Sequence, residues 1–104
     1  MQLDEFFAAY SRKYNLAENL FSVVQSIVQA GVQINSAVRL GALADAYGDA
    51  GSINVQGEQQ KKLDLITHEL LLKQLRDHPY VAGCASEEEA QFINFYRRHA
   101  PYLV

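Results

Sequence analysis

Apolar positions fall at helical spacing over three stretches of this chain, and two short strand-like runs follow them. Leu3, Phe6, Phe7 and Tyr10 recur at steps of three and four and predict a short helix over 4–13 with one apolar face. Asn15 followed by Glu18 resembles a capping-box start. The stripe Leu20, Val23, Val24, Ile27, Val28, Ile34, Ala37 and Val38 then predicts a second helix over about 16–40. Gly41 is a plausible end for it, with one more turn over 42–47 before Gly48. A third helix is expected over about 59–76, with Leu63, Ile66, Leu70, Leu71 and Leu75 as its core face. Asp77-His78-Pro79 breaks it. Tyr80–Ala85 reads as a buried strand, and Pro101–Val104 as the start of another. Phe92–Arg98 fits helix or irregular structure equally. The pattern is α+β and mainly helical: two to three helices plus one or two short strands. An apolar strand at Val104 with no turn after it suggests a domain cut short.

Between the second and third helices lies Gly51–Asp64, polar and punctuated by glycine. Lys61 and Lys62 would fall in the first turn of the third helix, against the positive end of its dipole. Local stability does not explain them there, whereas an anion such as phosphate would. Glu58 and Asp64 add carboxylates, a combination that points to phosphate chemistry assisted by a hard metal ion. Asp64 and His68, four apart, share a helix face and could form a hydrogen-bonded pair. Ser86-Glu87-Glu88-Glu89 has a plain structural reading as a helix N-terminus capped by Ser86. It also has a functional one, a carboxylate cluster at the C-terminal end of a strand, where oxygen ligands suit Mg²⁺ or Mn²⁺.

Composition narrows the options. The 104 residues are 49% hydrophobic and carry a net charge of −3, consistent with one packed domain that has no basic patch for nucleic acid. Cys84 is the single cysteine, which fits a reducing cytoplasm. The acidic N-terminus lacks the basic start of a secretory signal, and no apolar run is long enough for a membrane span. No charge occurs between Asn19 and Val38. That helix is either a buried core element or one sandwiched against another subunit, with Gln25, Gln29 and Gln33 facing the neighbour or solvent.

The fourteen residues Gly51-Ser52-Ile53-Asn54-Val55-Gln56-Gly57-Glu58-Gln59-Gln60-Lys61-Lys62-Leu63-Asp64, followed by Cys84-Ala85-Ser86-Glu87-Glu88, resemble class I fructose-1,6-bisphosphatases. Ser36-Ala37-Val38-Arg39 and Tyr47-Gly48 look like the same family, so the likeness runs from about residue 20 to 89. It implies the N-terminal part of a sugar-phosphatase α/β fold, with a mobile loop over about 49–60 hinged at Gly51 and Gly57. By resemblance, Glu87 binds catalytic metal, and Glu88 helps to hold it and activate the attacking water. Asp64 orients that water together with a residue of the mobile loop. Glu58 and Asn54 sit where that loop has acidic and docking residues. Lys61 and Lys62 match the family's lysine pair. Mg²⁺ or Mn²⁺, a sugar bisphosphate substrate, a homo-oligomer formed through the 16–40 helix, and cytoplasmic carbohydrate metabolism of the gluconeogenic or Calvin type are implied with them. The family's next motif, Asp-Pro-Leu-Asp-Gly-Ser-Ser, should begin just after Val104, so this chain alone is expected to be inactive and to bind no metal. Ala17–Phe21 departs from the family's Gly-Thr-Gly-Glu-like nucleotide turn. The alternative is a non-catalytic oligomerisation or regulatory module that pairs with itself or with a longer homologue.

Overall fold

The structure, a computed structural model, describes residues 1–47 and 53–104, with the side chains of 42–47 and 53–56 outside the description. Helix α1 spans Leu3–Tyr14. Gln2 and Glu5 form a reciprocal capping box at its start, with Asp4 and Glu5 in the first turn and Arg12 and Lys13 in the last, all favourable to the helix dipole. Asn15 ends this helix instead of starting the next: it sits in the left-handed region at φ 51° and ψ 48°. There the chain turns and the Leu16 N–H reaches the Ser11 carbonyl at 3.0 Å. Asparagine tolerates that conformation better than most residues, so the C-cap role wins over the expected N-cap.

Helix α2 spans Glu18–Tyr47 without a break at Gly41. One glycine inside a helix costs only about 1 kcal/mol, less than starting a new helix afresh. Helix α3 spans Ile53–Arg76, six residues longer at its start than the pattern predicts. Asn54, Gly57 and Glu58 therefore lie within a helix. Lys61 and Lys62 fall more than a turn inside it, away from the dipole end expected to hold an anion. Ile53–Glu58 contains no proline, and extending an existing helix adds a backbone bond for each residue fixed. Gly51 lies outside the described residues.

Three short strands form one sheet in the order β2-β1-β3, with β1 Val81–Cys84, β2 Ile93–Asn94 and β3 Tyr102–Leu103. Strand β2 runs antiparallel to β1, pairing Gly83 with Asn94 and Cys84 with Ile93. Strand β3 runs parallel to β1, pairing Val81 with Tyr102 and Gly83 with Leu103. The Ala85 N–H donates to the Val104 carbonyl at 2.8 Å and extends that second ladder. Phe92–Arg98, left open by the sequence pattern, thus contributes a strand. The C-terminal strand is an edge and not a buried one, since Leu103 remains 70% exposed.

The core is thin. Val23 of α2, Leu75 of α3, and Val81 and Cys84 of β1 form its centre, with Ile27, Leu72, Ile93, Phe95 and Tyr102 packed around them. Val28 and Val38 of the α2 stripe and Ile66 of α3 stay exposed, contrary to the pattern. The sheet is too small to cover two helices of 30 and 24 residues along their length. The radius of gyration, 17.3 Å, exceeds the roughly 13 Å of a compact chain this size. Helix α1 touches the body through the stacked rings of Phe7 and Phe21, 4.7 Å apart.

Below the sheet, Arg97 donates to the carbonyl of the fully buried Val81 at 3.2 Å and to that of Arg76. Arg76 and Arg97 also lie 5.8 and 5.7 Å from the Phe95 ring. One guanidinium thereby joins the end of α3, the start of β1 and the segment after β2.

Candidate functional site

Strand β1 ends at Cys84, and Ala85 and Ser86 lead directly into the acidic segment. No helix begins there. Ser86 starts a tight turn in which its hydroxyl accepts the Glu88 N–H at 3.2 Å and its carbonyl accepts the Glu89 N–H at 3.1 Å. The helix-cap reading of Ser86-Glu87-Glu88-Glu89 therefore gives way to a turn at the C-terminal end of the central strand. Pairing of β1 on both sides fixes where that turn starts. Glu87 and Glu88 are exposed on it.

Helix α3 supplies the other half. Asp64 is exposed and accepts a 3.3 Å hydrogen bond from Gln60, one turn earlier. It is not paired with His68 as the spacing suggested. His68 turns inward instead, because it shares the stripe of Leu71, Leu72 and Leu75 that faces the sheet. Its Nδ1 lies 2.8 Å from Ser86 Oγ, and its Nε2 lies 3.4 Å from Glu89 Oε1, with only 9% of the side chain exposed. The Ser86 oxygen accepts from the Glu88 N–H and is also hydrogen-bonded to Nδ1, the imidazole tautomer setting which of that second pair donates. The spacing of His68 with Leu71 and Leu75 was the signal that would have turned it toward the strand end.

Glu58 is exposed on α3. Asn54 belongs to the first turn of α3, and its side chain lies outside the described residues. Among the described residues, no three His, Cys, Asp or Glu side chains converge as a metal-holding group. Glu87 and Glu88 are hard oxygen donors on a backbone-fixed turn, so they suit Mg²⁺ or Mn²⁺ in kind. In number they supply only part of a coordination shell.

Behind the turn, a cavity of about 280 Å³ is lined by His68, Leu71, Leu72, Leu75, Cys84 and Ser86, among others. Burial pushes the Cys84 thiol above its ordinary pKa, and the nearby Arg76 charge opposes this only in part. A raised pKa leaves less thiolate at every pH below it, and the thiolate is the nucleophile. Iodoacetamide at pH 8 is expected to label native Cys84 at least about tenfold more slowly than free cysteine. The difference should vanish in denaturant. Native labelling as fast as free cysteine would contradict the buried placement.

A mainly helical domain with a small mixed sheet, and an acidic turn at the end of its central strand, is the class these features define. The profile of the family described as fructose-1-6-bisphosphatase, N-terminal domain, matches residues 1–104, and the chain belongs to that family. A Neisseria meningitidis (serogroup A) protein named fructose-1,6-bisphosphatase class 1 is 46% identical over 92 residues, covering 88% of this chain and 28% of the relative. Proteins of the same name from Acinetobacter baylyi and Psychrobacter are 46% and 52% identical, over 75% and 66% of this chain and 24% and 21% of theirs. The chain thus spans between about a fifth and little more than a quarter of the curated relatives it matches. No solved structure matches it at a significant level. Among the described residues, no helix is long and apolar enough to cross a membrane.

Proposed function

We propose that this chain is the N-terminal, metal-anchoring part of a cytoplasmic enzyme that hydrolyses the 1-phosphate of fructose 1,6-bisphosphate. The observation that carries the reading is the position of Glu87 and Glu88, directly after the central strand on a turn tied to the helix that bears Asp64 and Glu58. Glu87 and Glu88 would hold the metal, and Glu88 would help to activate the attacking water. Asp64 would orient that water, with Glu58 and Asn54 acting from earlier turns of the same helix. Bound Mg²⁺ or Mn²⁺ supplies neutralisation of the phosphoryl oxygens and a more acidic water. The chain covers 28% or less of these relatives, and on this reading the 104 residues alone do not turn over substrate.

The test compares this chain with a version extended by the remaining sequence of the meningococcal relative, measuring phosphate release from fructose 1,6-bisphosphate with Mg²⁺. The extended protein is expected to be active and to lose more than about a hundredfold on Glu87→Gln, as several kcal/mol of charge stabilisation would require. Activity indifferent to that substitution would refute the site. Turnover by the 104-residue chain, lost on Glu87→Gln, would refute its inactivity.

A second reading, a non-catalytic module that self-associates through α2, draws on the exposed Val28, Val32, Val38 and Leu40. The same surface would serve a homo-oligomer of the intact enzyme. A stable monomer at high concentration in sedimentation would remove the support for either.

A further inference from the structure

The geometry points to His68 as the positioning residue of the acidic turn: it locks the Glu87–Glu88 backbone to helix α3 through Ser86. This rests on the metal-holding role of Glu87 and Glu88 and adds a residue to which spacing alone assigned a different partner. The path is continuous. The Glu88 N–H donates to Ser86 Oγ at 3.2 Å, Ser86 Oγ and His68 Nδ1 are hydrogen-bonded at 2.8 Å, and Nε2 lies 3.4 Å from Glu89 Oε1. His68 lies one helical turn after Asp64, so the same rigid element carries the water-orienting carboxylate and grips the turn that bears the metal carboxylates. Two glutamates side by side repel, and without a grip their backbone would drift apart from the donors on α3. The imidazole is nearly buried among Leu71, Leu72 and Leu75, which holds its orientation. His68 need touch neither metal nor substrate.

Nδ1 is bonded directly to Cγ, about where the side-chain amide of asparagine places its polar atoms. His68→Asn should therefore keep the link to Ser86, and His68→Ala should lose it. Four versions of the extended protein, wild type, Glu87→Gln, His68→Ala and His68→Asn, are compared with Mn²⁺ alone as the probe, free Mn²⁺ being read by its electron paramagnetic resonance. Hydrogen exchange of the Glu88 amide is measured by NMR in metal-free buffer. Wild-type binding abolished by Glu87→Gln, weakened about tenfold by His68→Ala and restored by His68→Asn is the expected result, in the range seen when a group supporting a metal ligand is removed. Glu88 exchange should accelerate about tenfold in His68→Ala and recover in His68→Asn. Equal Mn²⁺ affinity in wild type and His68→Ala overturns the inference. If the wild-type extended protein binds no Mn²⁺, the metal role of Glu87 fails separately, and the exchange data decide: unchanged Glu88 exchange in His68→Ala overturns the grip, and acceleration reversed by asparagine establishes it. Should His68→Ala unfold, His68→Asn compared with His68→Leu makes the same distinction, since leucine preserves volume without the hydrogen bond.

Discussion

Replacing Gly83 with alanine is expected to unfold most of the molecule in buffer or to cost at least about 3 kcal/mol, the upper part of the usual range for overpacking. Gly83 lies in the middle strand of the sheet, paired to Asn94 on one side and Leu103 on the other. A Cβ there would run into the Ile93 carbonyl oxygen and the ring of Phe92, closer than real Cβ atoms approach. The ring could swing aside; the carbonyl belongs to the neighbouring strand and could not move without breaking the pairing. A domain of this size has about 5–15 kcal/mol to lose, and so thin a core puts this one toward the low end. Gly31 supplies the contrast. It lies inside α2, where an added methyl would meet nothing within 4 Å, so Gly31→Ala should gain about 0.5–1 kcal/mol of helix stability. Urea melts of the two variants against wild type would decide. Equal stability of Gly83→Ala and wild type would show that β2 does not pack on β1 as described.

Leu75→Ala should cost about 3 kcal/mol and lower the melting temperature by about 12 °C or more, from the usual cost of a large-to-small core change and the size scaling of small domains. Leu75 is 4% exposed and joins α3 to Val81 and Cys84 of the central strand. It also lines the cavity behind the acidic turn, so truncation enlarges an existing void instead of letting neighbours close on it. Leu65 of the same helix, 53% exposed, provides the calibration: Leu65→Ala should cost under about 1 kcal/mol. A differential scanning calorimetry trace for each suffices. Similar losses at both positions would mean that the helix is not oriented by its Leu75 face.

Periodicity made the helices legible, because Leu3, Phe6 and Tyr10, and Leu71 with Leu75, repeat at steps the backbone imposes. It misplaced their ends. Asn15 satisfies the chemistry of both a starting and a finishing cap, and only the left-handed backbone at φ 51° separates them. Gly41 reads as an end, yet a helix already running continues through a single glycine more cheaply than it stops and restarts. Strand β2 is two residues long, too short to show alternation, and it exists because β1 offers an edge for Ile93 and Asn94. The acidic turn was legible as a composition, Ser86-Glu87-Glu88-Glu89, but whether it capped a helix or ended a strand depended on what followed. His68 shows the same limit at the site. Its spacing to Asp64 allows one partner and its spacing to Leu71 and Leu75 implies another. Burial decided, since a residue on the apolar stripe faces the sheet whatever lies four positions back. Local patterns singled out the carboxylates, whereas the separate roles proposed for them come from the resemblance to the family.

The hydroxyl of Tyr102 donates to the side-chain oxygen of Asn19 at 2.7 Å, across 83 positions of sequence. In kinetic terms, that is a long loop to close, and its closing entropy is met only once the intervening helices and strands have condensed. The bond therefore belongs to the last step of folding and has little weight in the transition state. Loosening it should quicken unfolding while leaving the folding rate nearly unchanged. A Tyr102→Phe variant followed by stopped-flow refolding and unfolding would time that difference.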